Sequence, residues 1–378
     1  MSAVKLSSAG PRKWKPRVPV DSRFVQISVL ILAAVVLSYF SSLALSQSST
    51  ALLPGPKPPD APEQWKPWIG DYGTGEVNFV VGELEGHLLI IDNHGKRWDL
   101  PSLPIEKSVM AERTSTTLVI LRFLREPSGT QALLTNDPGW SKKTYGVDDH
   151  HVARMKPVQP INELRSLALA AEPPKESGSF RKLELVELAL LDPSIHLDIR
   201  YATSNDFLGI PVYSQARAFL QRPAAEALLR VQQELKRVGY GLLIHDAYRP
   251  WYVTKIFWEA TPREGKIFVA DPAQGSRHNR GCAVDLTLYD LSSRKPVEMP
   301  GTYDEMSPRS YPDYPGGTSL QRWHRHLLRR AMESEGFTVY EAESWHFDYK
   351  DWKEYPILNV PFEKLGLDAA ANSVHQQP

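Results

Sequence analysis

The chain has 378 residues, 42% of them apolar and 23% charged, with 44 Lys and Arg balanced by 44 Asp and Glu. At roughly 100–200 residues per domain, that allows two or three folded units, each able to bury a core. Zero net charge excludes a nucleic-acid binder that works through an overall basic field. The lone cysteine, Cys282, excludes an internal disulfide framework and any cysteine-rich metal cluster.

Residues 1–23 form a basic segment, with Lys5, Arg12, Lys13, Lys15, Arg17 and Arg23 against one acid, Asp21. In residues 24–45, 17 of 22 side chains are apolar, and no charge appears until Lys57. About 20 apolar residues in a helix span a hydrocarbon core, and the basic flank orients such a segment with its positive end inside. The run exceeds the usual signal-peptide core of roughly 7–15 residues, which favours an uncleaved anchor over 24–46. Ala44-Leu45-Ser46 is nevertheless a small-x-small triplet at which a signal peptidase could cut. Either outcome predicts export to the cell envelope, with membrane contact through this segment.

A proline-rich tether is predicted over 47–65, followed by a small all-β unit over 66–156. Strands 77–84 and 87–91 flank Glu85-Gly86, and strands 116–123 and 131–135 flank a Pro127-Ser128-Gly129 turn. Trp65, Trp68 and Trp98 are read as its core. A linker over 157–180 has room for a short helix between its proline pairs.

From 181 to 366 helices and strands mix without strict alternation, so the class is α+β with a small mixed or antiparallel sheet. Leu228, Val231, Leu235 and Val238 share one face of a helix entered at Pro223 and ended by Gly239. Strands are predicted at 241–244 and 283–288. An amphipathic helix over 320–334 precedes closing strands at 337–340 and 345–349. The remainder, 367–378, reads as a disordered tail.

Two stretches carry chemistry: Ser276-Arg277-His278-Asn279-Arg280-Gly281-Cys282-Ala283-Val284-Asp285 and Glu343-Ser344-Trp345-His346. Together they offer two imidazoles and two carboxylates. Three N/O ligands leave one position of a tetrahedral zinc free, as catalysis requires, and an unligated carboxylate could take a proton from water there. Spacing alone leaves open which carboxylate does which. Asp285 falls within an apolar strand, where metal ligation would offset its burial. Glu343 and His346 are three apart and would face opposite sides of a flat strand, so a shared site requires a bulge near Ser344-Trp345. His150-His151, His324 and His326 are read as solvated, His245 as a packing residue, and Cys282 as a small buried side chain.

These residues resemble the zinc D-alanyl-D-alanine dipeptidases, the vancomycin-resistance type within the D-Ala-D-Ala metallopeptidases. The match rests on S-x-H-x-x-G-x-A-x-D from Ser276 to Asp285, E-x-W-H from Glu343 to His346, and Asp246-Ala247-Tyr248-Arg249-Pro250. Asp198-Ile199-Arg200-Tyr201-Ala202-Thr203 and Gly301-Thr302-Tyr303-Asp304 add to it. The resemblance implies one zinc held by His278, Asp285 and His346. It further implies Glu343 as general base, Arg249 stabilising the oxyanion, Asp304 binding the substrate ammonium, and Ser276 and Tyr201 lining the pocket. The implied reaction is hydrolysis of D-Ala-D-Ala in peptidoglycan turnover, with a carboxypeptidase or endopeptidase acting on longer wall peptides as the alternative. Wall contact through residues 66–156 is a further expectation. Arg277 departs from the pattern where vancomycin-resistance members carry a second serine, and Cys282 where they carry a small hydroxyl residue.

Overall fold

The computed structural model describes residues 52–73, 79–100, the backbone of strands 109–113, 118–125 and 131–134, and residues 140–148 and 150–365. The expected N-terminal anchor and C-terminal tail lie outside these residues. Among the described residues no helix is long and apolar enough to cross a membrane.

Four antiparallel strands open the described chain: β1 (Gly70–Tyr72), β2 (Phe79–Leu84), β3 (His87–Asp92) and β4 (Arg97–Asp99), paired in sequence order. The β2–β3 turn holds both central residues at positive φ, Glu85 at 50° and Gly86 at 82°. That conformation matches the right-handed twist of the flanking strands. Trp68, Tyr72, Val81, Leu88, Ile90 and Leu100 close a small core, with Trp65 and Trp98 partly buried against it. A second meander, β5 (Val109–Arg113), β6 (Leu118–Arg125), β7 (Gln131–Leu134) and β8 (Trp140–Ser141), follows in the same order.

The proline-rich stretch is docked where it is described. Leu52 belongs to the main core, the Gly55 carbonyl accepts from Trp323 Nε1 at 3.1 Å, and the Lys57 ammonium sits 5.2 Å above the Tyr240 ring. Helix α1 (Ile161–Ala170) lies between the later proline pairs and buries Ile161, Leu164 and Ala168.

The remainder is mixed α/β. Strand β9 (Leu185–Glu187) and β10 (His196–Leu197) precede β11 (Phe219–Gln221), which pairs with β9. Helix α2 (Arg222–Arg237) starts with Pro223 in its first turn and buries Ala224, Leu228, Val231 and Leu235. It ends before Gly239, whose φ of 89° turns the chain into β12 (Tyr240–Asp246). Helix α3 (Trp251–Ala260), β13 (Ala283–Asp290), α4 (Ser319–Ser334), β14 (Phe337–Tyr340) and β15 (Glu343–Tyr349) complete the unit. The sheet runs β10-β12-β13-β15-β14, with only the β10–β12 pair parallel. Leu242, Ile244, Val284, Leu286, Leu288 and Phe347 face the core with α2 and α4 residues.

One expectation is corrected. His324 and Arg325 are buried, at 5% and 4% exposure, rather than solvated. His324 Nε2 lies 3.2 Å from the Tyr240 hydroxyl, and burial pushes its pKa down to about 4. Arg325 donates to the Tyr314 carbonyl at 3.0 Å. The arginines flanking His324 suggested a polar face, but its helix is packed on both sides. His326, half a turn away, remains exposed.

Gly281 ends the 3-10 turn His278–Arg280 at φ 67°, and a Cβ there would come within 2.5 Å of Leu185 Cδ2. Gly281→Ala combines backbone strain with a clash, for a cost of about 1–3 kcal/mol. Calorimetry should show Tm lower by several degrees.

Candidate metal centre and active site

Three neighbouring strands place acidic and imidazole groups side by side. Asp246 on β12 is paired with Asp285 on β13, which is paired with His346 on β15. Two irregularities create this row. Ile244 pairs with Leu286 but Asp246 with Asp285, so His245 bulges and Asp246 is turned from the core face toward Asp285. On β15 the pairing with β14 jumps from Val339↔Phe347 to Tyr340↔Glu343, leaving Ser344, Trp345 and His346 without opposites on β14. This is the bulge that a shared Glu343–His346 site required, and Glu343 Oε2 lies 3.8 Å from His346 Nδ1.

His278 comes from the turn ahead of β13. Its backbone carbonyl accepts from Arg249 N at 3.1 Å, and buried Asn279 ties the turn to the Arg249 carbonyl and Thr254 hydroxyl, both at 2.8 Å. His278 Nε2, His346 Nδ1 and Asp285 Oδ1 converge: the ring nitrogens are 3.0 Å apart, and the oxygen lies 3.3 Å and 3.0 Å from them. Each ring donates elsewhere, His278 Nδ1 to the Ala247 carbonyl at 2.6 Å and His346 Nε2 to Asp348 Oδ1 at 2.9 Å. With those outer positions protonated, the converging nitrogens would offer lone pairs to a cation. Without one, burial works to lower the His346 pKa, but Asp348 and Asp285 hold it well above its ordinary value. Asp285 Oδ1 is buried without a hydrogen-bond partner. A cation satisfies all three acceptors at once. Zinc bonds of about 2.0–2.1 Å in a tetrahedron would separate such ligand atoms by roughly 3.3 Å, so this donor set fits a metal ion.

Around the triad each group is fixed by a named partner. Asp285 Oδ2 accepts from Tyr303 Oη at 3.1 Å. Arg249 is gripped by Asp246 Oδ2 through Nε at 2.9 Å and Nη2 at 2.7 Å, while Asp246 Oδ1 accepts from Tyr213 Oη at 2.6 Å. The guanidinium lies over the rings of Phe257 at 4.8 Å and Tyr201 at 5.4 Å. Tyr201 Oη donates to Asp304 Oδ1 at 2.9 Å, and Asp304 Oδ2 is buried without a partner. Ser276 Oγ accepts from His278 N at 3.2 Å.

These settings separate the carboxylates electrostatically. Burial alone would raise Asp285, but His278 and His346 hold it well below the ordinary range. Burial pushes Glu343 up to about 8, with Asp285 adding to the rise and His346 and Arg249 opposing it. Burial and then Asp285 push Asp304 well up. A positive charge placed near either group lowers its pKa again.

Tyr201, Arg249, Ser276, His278, Asp285, Asp304, Glu343 and His346 all line one pocket. Arg277 also lines it, with its guanidinium 4.8 Å over Trp352 and Nε 3.3 Å from Asp348 Oδ2. Cys282 is fully buried, and burial pushes its thiol up. His245 packs on Tyr303 with centroids 4.5 Å apart, and its Nδ1 lies 3.4 Å from Asp198 Oδ2. His150 and His151 are exposed. Sequence reasoning missed Asp348, although its position two residues after His346 puts both on one strand face. The roles of Asp246 and Tyr303 were also missed: Asp246 grips Arg249 three residues on, and Tyr303 reaches Asp285 from a loop.

A family model described as D-Ala-D-Ala dipeptidase matches residues 181–364. The chain is 35% identical over 179 residues to the D-alanyl-D-alanine dipeptidase of Escherichia coli K12, covering 47% of this chain and 91% of that protein. It is 34% identical over 192 residues to the enzyme of the same name from Enterococcus faecium, covering 45% and 95%. The one from Streptomyces coelicolor is 33% identical over 175 residues, covering 42% and 87%.

Loss of a carboxylate behind a metal-binding imidazole weakens metal affinity by roughly 10–100-fold. Asp348→Ala should do so in a chelator competition, even though Asp348 does not itself join the triad.

Proposed function

The chain belongs to the D-Ala-D-Ala dipeptidase family, and from that premise we propose that residues 181–364 hydrolyse D-alanyl-D-alanine to two D-alanines. One observation carries the proposal. The three-acceptor cluster of His278, Asp285 and His346 stands beside two further buried carboxylates, Glu343 and Asp304, in a single pocket.

We propose zinc as the metal. Bound at the triad, it would act as a Lewis acid on the scissile carbonyl and depress the pKa of the attacking water. Glu343, unligated and held next to His346, accepts the proton from that water and returns one to the departing amine. Arg249 is held rigid by Asp246 and two aromatic rings, so its charge is already oriented for the oxyanion that forms on carbonyl attack. Asp304 meets the substrate's ammonium with Oδ2, while Tyr201 occupies Oδ1. A free ammonium brings that oxygen a charge-assisted hydrogen bond and an acylated amine brings no charge, which favours a dipeptide over a longer wall peptide. Arg277, at the same pocket, supplies a contact for the C-terminal carboxylate.

Export is supported by the sequence alone, through the basic residues before Phe24 and the apolar run to Leu45. In that location the dipeptide would come from cell-wall turnover, so we propose a role in recycling or remodelling.

The test is turnover of D-Ala-D-Ala by the full chain. Chelation should abolish it and zinc should restore it. Glu343→Gln should lower kcat by roughly 10²–10⁴-fold with the zinc content unchanged. Turnover that survives chelation, or an unaffected Glu343→Gln variant, would remove the proposed chemistry. Arg277→Ala should raise KM by roughly tenfold, as expected for a lost charge-assisted contact; an unchanged KM would show that the carboxylate is bound elsewhere.

A further inference from the structure

Residues 52–156 lie ahead of the matched segment 181–364, so the family's chemistry leaves them without a role. Besides Leu52, Gly55 and Lys57 on the main core and Arg154 and Met155 on residues 204–207, these residues make a set of contacts with one stretch, residues 301–319. That loop brings Asp304, Glu305 and Met306 to the pocket. Its only regular element before α4 is the short 3-10 turn Pro308–Ser310. Asp304 itself has a φ of 61°, a left-handed conformation that is uncommon outside glycine, though aspartate adopts it more readily than most residues.

The N-terminal β region grips this loop at its start, middle and end. Thr302 Oγ1 donates to the His151 carbonyl at 2.7 Å. Arg309, whose guanidinium lies 5.3 Å over the Tyr145 ring, pairs through Nε with Glu305, the neighbour of Asp304. Tyr314 Oη donates to Asp71 Oδ1, and Tyr145 Oη donates to Asp71 Oδ2 at 2.7 Å. At the far end Glu83 N donates to the Gly317 carbonyl at 3.0 Å, and Ser319 N donates to Glu83 Oε2 at 2.6 Å. Asp71 and Glu83 are 1% and 4% exposed, so both carboxylates are committed to these contacts.

We propose that the N-terminal β region is a positioning unit for the active site, in which Asp71, Tyr145 and Tyr314 hold the 301–317 loop so that Asp304 presents its free oxygen to the substrate ammonium. This rests on the dipeptidase reading above. It makes the β region a part of the substrate site's architecture, and it requires no wall ligand.

Tyr314→Phe in the full chain removes one hydroxyl and keeps the ring. KM for D-Ala-D-Ala should rise roughly tenfold, the loss expected when a hydrogen bond to a charged group is removed. Kcat should stay within about twofold and zinc content should not change. Amides of 302–314 should exchange with deuterium faster, while those of β12 and β13 hold their rates. Tyr145→Phe should give the same pattern and serves if Tyr314→Phe does not fold. Unchanged KM and exchange would overturn the proposal. So would a fall in kcat and zinc content at constant KM, because the contact would then support the metal centre or the fold at large. If the wild-type chain leaves D-Ala-D-Ala intact, the hydrolytic reading fails separately, and the exchange comparison still decides whether Asp71 holds the loop.

Discussion

Two imidazole nitrogens and one carboxylate oxygen meet within about 3 Å of one another. Without a positive charge between them that arrangement is repulsive, and burial makes the repulsion stronger. A positive charge at that point, a proton on His346 or a cation, removes the repulsion, and the second nitrogen of each ring is held by a carbonyl or carboxylate that accepts its hydrogen bond. The tautomers, the bulge on β15 and the bulge at His245 all serve this convergence. The site is therefore a property of the sheet: three strands deliver it, and the turn ahead of β13 closes it.

Around that point the same functional group is given several different tasks. Asp285 is kept ionised by its imidazole neighbours. Glu343, one bulge away, is pushed up to about 8 by burial and so sits near the range of a working acid–base group. Asp246 is consumed in holding Arg249, and Asp348 in orienting His346. Asp304 is left with one oxygen unpaired. Distance to a cation and the number of donors at hand distinguish these carboxylates, since their side-chain chemistry is the same or nearly so.

One wall of the pocket is the irregular stretch 304–306, with Asp304 at a left-handed φ, and such a loop keeps a single position only where its neighbours constrain it. Here buried tyrosine–carboxylate contacts from β1 and from the segment after β8 supply that constraint. A domain boundary drawn from composition at 157–180 therefore separates pieces that the hydrogen bonds join. The Glu176 carboxylate of that same segment clamps Arg280 at 2.6 Å and the Ile357 amide at 2.6 Å.

Sequence by itself determined the elements and the inventory of reactive groups. Period-3.6 apolar spacing marked α2, alternating or continuous apolar runs marked β12, β13 and β15, and Glu85-Gly86 marked the β2–β3 turn, because these signals are local. The motifs around His278, Asp285, Glu343 and His346 were legible for the same reason, and a bulge between the last two was expected on the condition that they share one site. What only the tertiary structure decided were relations between distant segments. Asp246 comes beside Asp285 through a register shift, His324 is buried by packing that its arginine-rich neighbours concealed, and Asp71 meets Tyr314 across 243 residues. Cross-strand register and loop anchoring depend on which surfaces meet in space, and no local periodicity encodes that.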